Sequence, residues 1–281
     1  MKLRHLHLPG LTHYTHASRL QHQLVSKLLA YKAKSNYSSP PPRPTIITAE
    51  FHPVYTCGRR EVGNVSQEQI DYLTEEVPDL GKAEFHEALR GGQTTFHGPG
   101  QLVAYPILDL KCHGLTPRSY VHLLESAVIN TCDLLNVKTQ RTENPGVWTA
   151  DRPSLFRSPR TPQKICALGV HLRRNITSHG IGLNVDTEMR WFERIVACGL
   201  EGKMTTSLKL ENGEELDDLD VEETGKMFAW MMAEELEGVD GEERIQDDGL
   251  EDAVFLDMMA GGLSGGKGLA SEADFEGDVP S

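Results

Sequence analysis

No stretch of this 281-residue chain carries the roughly 20 consecutive apolar residues of a membrane-spanning helix, so a soluble protein with no membrane span is expected. Cysteine is scarce: five residues, at 57, 112, 132, 166 and 198, odd in number and irregular in spacing. That argues against a disulfide framework, and without a secretory signal reduced thiols are expected. No Cys-x-x-Cys or His-x-x-x-His pair occurs, so no structural zinc is expected. The chain also lacks an arginine-rich array, a zinc finger and a stacking-aromatic motif, which removes the usual grounds for a nucleic-acid partner. No internal repeat is visible.

Acidic residues are missing from one end and crowded at the other. The first 49 residues contain no Asp or Glu, yet carry Lys2, Arg4, Arg19, Lys27, Lys32, Lys34 and Arg43. A mitochondrial presequence has that composition. So does a folded start, with Leu3, Leu6 and Leu8 on a short strand and a helix from about Ala17 to Tyr31. Leu20, Leu24 and Leu28 recur there at helical spacing, which favours the folded start. Residues 1–200 hold 23 basic and 17 acidic residues, a net of +6, whereas residues 201–281 hold 5 and 24, a net of −19. The net charge of −13 therefore belongs to the C-terminal part. A mildly basic body would steer an acidic protein or an anionic acyl carrier.

Punctuation sets the organisation. Residues 38–44, Ser-Ser-Pro-Pro-Pro-Arg-Pro, read as a stiff linker. Residues 45–49, 85–90, 102–108, 165–172 and 180–185 read as strands, the last two joined by a polar turn. Residues 117–136 and 217–236 read as helices. Residues 148–163, with three prolines and three arginines, look like a surface insertion. Residues 1–238 are thus expected to form one domain with an insertion at about 149–163. Residues 239–281, acidic and glycine-rich, are expected to be a disordered tail.

The run Arg90-Gly91-Gly92-Gln93-Thr94-Thr95-Phe96-His97-Gly98-Pro99-Gly100-Gln101 brings a permanent cation, flexible glycines, two hydroxyls and an imidazole into twelve residues. Glycine lets backbone approach a ligand, arginine adds a rigid donor fork, and histidine moves most easily between acid and base. The run reads as the floor of an active site. Lys164 stands just before an apolar strand, and Cys198 sits before a glycine that frees a backbone N–H; a cysteine beside an ammonium ionises readily and becomes a nucleophile. His52, His97 and His179 stand at strand-to-turn junctions beside proline or glycine, whereas the other histidines read as structural. Spacing alone points to a cysteine-dependent transferase or hydrolase.

The Arg90–Gln101 run resembles the signature of the lipoyl(octanoyl) transferases. His52-Pro53-Val54-Tyr55-Thr56 with Gly58, the block from Lys164 to Val170, Ser178-His179-Gly180, Gly182 to Val185, and Cys198-Gly199-Leu200 are similar to further blocks of that family, in order across about residues 3–235. The resemblance implies an α+β (α/β-type) fold, a mixed β-sheet flanked by helices like the catalytic domains of lipoate and biotin protein ligases. It implies transfer of octanoyl from acyl carrier protein to a lysine of lipoyl domains of 2-oxoacid dehydrogenases and of glycine cleavage H protein. No cofactor, metal or ATP is then needed. Cys198 is implied to carry a thioester, with Lys164 lowering its pKa and serving as acid and base. Arg90, Gly91, Gly92, Gln93, Thr94, Thr95, Phe96 and His97, with Ala167, Leu168, Gly169, Gly180, Ile181 and Gly182, are implied to bind substrate, supported by His52, Tyr55 and His179. Leu168, Ile181 and Leu183 are expected to line an apolar tunnel. Cys57 and Cys166 are expected to serve packing. A monomer is expected, mitochondrial in a eukaryote and cytoplasmic otherwise. Two alternatives stay open: an ATP-dependent ligase on the same fold, which would not need Cys198, and a non-catalytic binder of lipoyl domains or carrier proteins. Ala197 stands where many members have proline, and the 148–163 segment is longer than usual.

Overall fold

The computed structural model describes residues 1–33, 41–150, 161–195, 204–212 and 216–246. The first half forms β1 (Leu3–Thr12), α1 (Tyr14–Ala33), β2 (Thr45–Phe51), β3 (Val54–Cys57), α2 (Gln67–Thr74), β4 (Glu84–Glu87), β5 (Thr95–His97), β6 (Gln101–Ile107) and α3 (Pro117–Leu134). Then come β7 (Thr139–Gln140), β8 (Val147–Thr149), β9 (Lys164–Arg173), β10 (Ile176–Asn184), α4 (Leu208–Asn212), α5 (Val221–Glu235) and β11 (Glu242–Ile245). Eight strands form one mixed sheet in the order β11-β1-β2-β6-β10-β9-β8-β7, and β4-β3-β5 form a small second sheet. The β1 pairings with β2 and β11 are parallel, and those from β2 through β6, β10, β9 and β8 to β7 are antiparallel.

Strand alternation gives the large sheet two buried faces. Ile46 of β2 and Leu102 and Ala104 of β6 pack with Leu124 and Val128 of α3 and Phe228 and Met232 of α5. Their neighbours Ile47, Val103 and Tyr105 turn the other way, onto Leu20, Leu24 and Leu28 of α1. A third cluster holds Tyr55, Leu73, Phe96 and Trp191 beside the small sheet, with the rings of Phe96 and Trp191 stacked at 5.0 Å. Helix α3 starts at a capping box between Thr116 and Ser119, with Pro117 in its first turn. Helix α5 starts on Asp220, whose side chain accepts from the Glu223 N–H.

Within the acid-free N-terminal segment, β1 and β2 are built into the sheet and α1 packs on it, as the leucine spacing favoured. Three segments depart from expectation. The tail expected to be disordered from residue 239 begins with a strand: β11 runs parallel to β1, and Leu3 N–H donates to Gly241 O at 3.0 Å. The charge division explains why. Arg43 pairs with Glu243 at 2.6 Å, His5 lies 3.5 Å from Glu242, and Lys2 Nζ donates to Asp240 O at 2.7 Å. Acidic residues that read as solvated are the partners of the basic start. The expectation for residues 247–281 lies outside the described residues.

The 148–163 segment does not begin as an insertion, because Trp148 is buried in β8. Thr149 N–H donates to Gln163 O at 2.8 Å, so the chain leaves and returns at one point, and residues 151–160 lie outside the description. Strand β10 starts at Ile176 rather than Gly180, leaving a turn of only Arg174 and Asn175. Its polar start is satisfied inside the protein: Thr177 Oγ1 donates to Pro106 O at 2.7 Å and accepts from Leu108 N at 2.9 Å.

Candidate functional site

The glycine-rich run folds around its own arginine. Arg90 Nη2 donates to Thr56 O at 2.6 Å and Thr56 Oγ1 at 2.8 Å, while Nη1 donates to Gly91 O at 3.1 Å and Gln93 O at 3.0 Å. Only a planar fork can serve four oxygens in this way. The guanidinium therefore shapes the loop instead of standing free for an anion. A Cβ on Gly58 would sit 2.2 Å from Gly92 O, so glycine must follow β3 for the loop to close over it. Gly91 N–H donates to Val170 O at 3.0 Å and ties the loop to β9. At the far end Gly100, at φ +76°, presents its carbonyl to the N–H groups of Val185 at 3.0 Å and Asp186 at 2.8 Å.

This loop roofs a trough in the large sheet. Across the β9–β10 ladder Gly169 opposes Gly180 and Ala167 opposes Gly182, so nothing larger than a methyl rises between the strands. The trough opens into a narrow cleft. Arg90, Gly92, Gln93, Thr95, His97, Ala167, Leu168, Gly169, His179, Gly180, Ile181 and Gly182 line it, together with Tyr105. Most residues implied by the resemblance as substrate-binding are thus brought to one cleft.

Others go elsewhere. Thr94 bonds Glu61 through its N–H at 2.5 Å and its hydroxyl at 2.7 Å. Phe96 and Tyr55 are fully buried in the third cluster, where Tyr55 Oη donates to Trp191 O at 2.6 Å and burial raises its pKa. Gly91 contributes backbone to the roof. His52 lies against His13, the rings tilted at 35° with centroids 4.6 Å apart, away from the cleft lining. Leu183, expected in the tunnel, is fully buried in the core against the helices.

Two imidazoles are held neutral in the cleft wall. Burial, then the Arg90 charge, lowers the His97 pKa to about 4. The same causes lower His179 to about 3. His179 adopts φ +55° within β10, its N–H donates to Gln21 Oε1 at 2.5 Å, and its ring meets Tyr105 edge-on at 5.5 Å. A left-handed non-glycine residue inside a strand is sparsely populated, and Gln21, reaching from α1, helps hold it.

Lys164 begins β9, outside the residues lining the cleft. It is buried, and its Nζ lies 4.7 Å from the centre of the Trp148 ring, a cation–π contact. Its backbone N–H donates to Met204 O and its carbonyl accepts from Thr206 N–H, each at 2.9 Å. Cys198 lies outside the described residues. Cys166, two residues from Lys164, is buried, and burial pushes its thiol well above the ordinary range, as fits packing; Cys57 is likewise buried and raised. Among the described residues no three His, Cys, Asp or Glu side chains gather as a metal site would need.

Residues 16–229 match the lipoyl protein ligase A/B catalytic domain. The chain belongs to that family. It is 50% identical over 200 residues to a Schizosaccharomyces pombe protein named "Probable octanoyltransferase", covering 71% of this chain and 81% of that protein. A mitochondrial octanoyl-acyl-carrier-protein:protein N-octanoyltransferase of Danio rerio is 40% identical over 202 residues, 72% of this chain and 80% of its own. In structure the chain is similar to a lipoate-protein ligase A bound with ATP, at a TM-score of 0.58 and 13% identity, over 92% of this chain and 95% of that one. That likeness speaks for the fold alone.

Within this lipoyl protein ligase A/B fold, two cleft features escaped sequence reading. Tyr105 was read only as part of an apolar strand; its alternation with Ala104 and its polar tip were the available signal. Gln101 was read as the end of the glycine run, yet its buried amide bonds His97 Nδ1 at 2.6 Å. No helix among the described residues is long and apolar enough to cross a membrane.

Proposed function

We infer that this protein is an octanoyltransferase: it moves an octanoyl group from octanoyl-acyl carrier protein to a lysine of a protein acceptor, the first step of protein lipoylation. The observation that carries this is its 40–50% identity, over most of both chains, to relatives named for that activity. The side-chain-free trough supports it, since a flexible aliphatic chain can lie on bare backbone beside Leu168 and Ile181. The acceptors are lipoyl domains of 2-oxoacid dehydrogenases and glycine cleavage H protein. In a eukaryote the reaction belongs in the mitochondrion, as the Danio rerio relative's name has it; in a bacterium it belongs in the cytoplasm.

Cys198 is the nucleophile of this reading. Its thiolate attacks the donor thioester carbonyl, the carrier thiol leaves, and octanoyl rests on the enzyme as a thioester. The acceptor amine then attacks, an amide forms, and the Cys198 thiolate is released. Lys164 gives its proton to the leaving thiol and takes one from the incoming amine. A nearby ammonium favours the thiolate, and division into two steps lets one protein partner leave before the other arrives. Thioester exchange is nearly neutral and amide formation from a thioester is downhill, so ATP is not required.

Intact mass spectrometry after mixing with octanoyl-acyl carrier protein tests the reading. One added octanoyl group is expected, removed by hydroxylamine and absent in Cys198→Ser. Transfer that persists in that variant, or that demands ATP, overturns it. Lys164→Arg keeps the charge and is expected to lose proton transfer.

A further inference from the structure

The buried polar side chains beneath the cleft form a relay with one permitted direction. The Thr206 carbonyl can only accept, so Asn184 turns Nδ2 to it at 2.9 Å. Asn184 Oδ1 then faces Gln101 and accepts from its Nε2 at 2.8 Å. The same nitrogen donates to a second carbonyl, that of Phe96, at 3.3 Å, which fixes the Gln101 amide independently. Gln101 is left presenting Oε1 to His97 Nδ1 at 2.6 Å. An amide oxygen carries no proton, so Nδ1 must, and Nε2 is left as a lone pair on a ring that lines the cleft. The other end of the relay reaches the site lysine, because Thr206 N–H donates to the Lys164 carbonyl at 2.9 Å. Gln101 and Asn184 are almost wholly buried, so reversing either amide would oppose acceptor to acceptor out of reach of water.

We propose that Gln101 and Asn184 are positioning residues that lock His97 in its Nδ1–H tautomer, so that Nε2 accepts a hydrogen bond from an N–H of the substrate. The substrate's identity rests on the octanoyl-transfer reading. Two N–H groups fit the chemistry: an amide of the donor's thioester arm and the amine of the acceptor lysine. Burial and the neighbouring charge of Arg90 keep His97 neutral near pH 7, with His179 the other titratable ring beside it. A neutral ring can accept such a bond without becoming a buried cation.

Nitrogen-15 spectra of the histidine-labelled protein at pH 7 test the lock directly. The expected spectrum shows His97 with a protonated Nδ1 and an unprotonated Nε2. Gln101→Leu removes the acceptor and should release the tautomer. Single-turnover rates of acyl loading and of transfer to the acceptor then identify the N–H. A loss of about fivefold to tenfold in Gln101→Leu is expected in the half-reaction that uses the contact. Loss in loading alone assigns the donor's amide, and loss in transfer alone assigns the acceptor's amine. A wild-type Nε2–H tautomer overturns the proposal, as do wild-type rates in both half-reactions of Gln101→Leu. The wild-type spectrum needs no variant, and Gln101→Met replaces Gln101→Leu if the latter does not fold. A wild-type protein that transfers no octanoyl defeats the functional reading and leaves the tautomer result standing.

Discussion

Acidification is the perturbation to which the cleft's buried imidazoles answer most directly. His97 and His179 have pKa values of about 4 and about 3 in the folded chain, through burial first and Arg90 second. Unfolded, each ring has the ordinary value near 6.5. The unfolded chain therefore takes up these protons first. The stability the two neutral rings contribute is whole above about pH 6.5 and is lost as pH falls toward 4. At pH 5 an unfolded imidazole is protonated about 30 to 1, whereas folded His97 is protonated only about 1 to 10. The difference is RT ln 30, or about 2 kcal/mol for each ring. About 4 kcal/mol for the pair is a large part of a typical 5–15 kcal/mol. Urea unfolding at pH 7 and pH 5 measures it, comparing wild type with a double variant, His97→Gln and His179→Asn, the asparagine chosen for its tolerance of positive φ. Wild type should lose about 4 kcal/mol more than the double variant over that interval. His7 and His171 are also lowered by burial, but they remain in both proteins and cancel. Equal losses in the two proteins would refute the assignment of these rings as buried and neutral.

Two further outcomes follow from the roof of the cleft. Gly58→Ala places a methyl 2.2 Å from Gly92 O, a backbone atom, so the loop must lift. Octanoyl loading should fall at least tenfold while the far-ultraviolet circular dichroism stays native; unchanged loading would show that the loop adapts freely. Arg90→Lys keeps the charge but cannot reach Thr56 on one side and the Gly91 and Gln93 carbonyls on the other. It should lower stability by about 1–3 kcal/mol in urea unfolding, the cost of leaving buried acceptors unmet, and a melt identical to wild type would argue that Arg90 does not hold the loop together.

Much of the fold was legible wherever period and burial agree. Leu20, Leu24 and Leu28 mark the buried stripe of α1, the apolar run after Gln101 marks β6, and residues 117–136 mark α3 within two residues, because local spacing dictates which face is apolar. Polarity misled where a buried polar group finds its partner from a distant segment. Thr177 looked like turn chemistry until Pro106 and Leu108 satisfied it, and Glu242 and Glu243 looked solvated until His5 and Arg43 met them. Spacing could not foresee those partners, which lie about 70 to 240 residues away along the chain.

The sequence by itself determined the family, through motif blocks in a fixed order, and it named most residues that line the cleft. Only the tertiary structure decided what each does there. Arg90 reads as a donor fork for substrate, yet its donors close on its own loop, because the carbonyls of Thr56 and Gln93 meet only when β3 and β5 pair. Leu183 reads as tunnel lining and is core, paired with the buried Cys166 among residues packed on the helices. His97 reads as a switchable acid or base, and burial beside a fixed cation makes it a neutral ring instead. Residue types are local, but the proton on His97 depends on carbonyls brought from Phe96 and Thr206, and only the folded sheet puts them within reach of one amide chain.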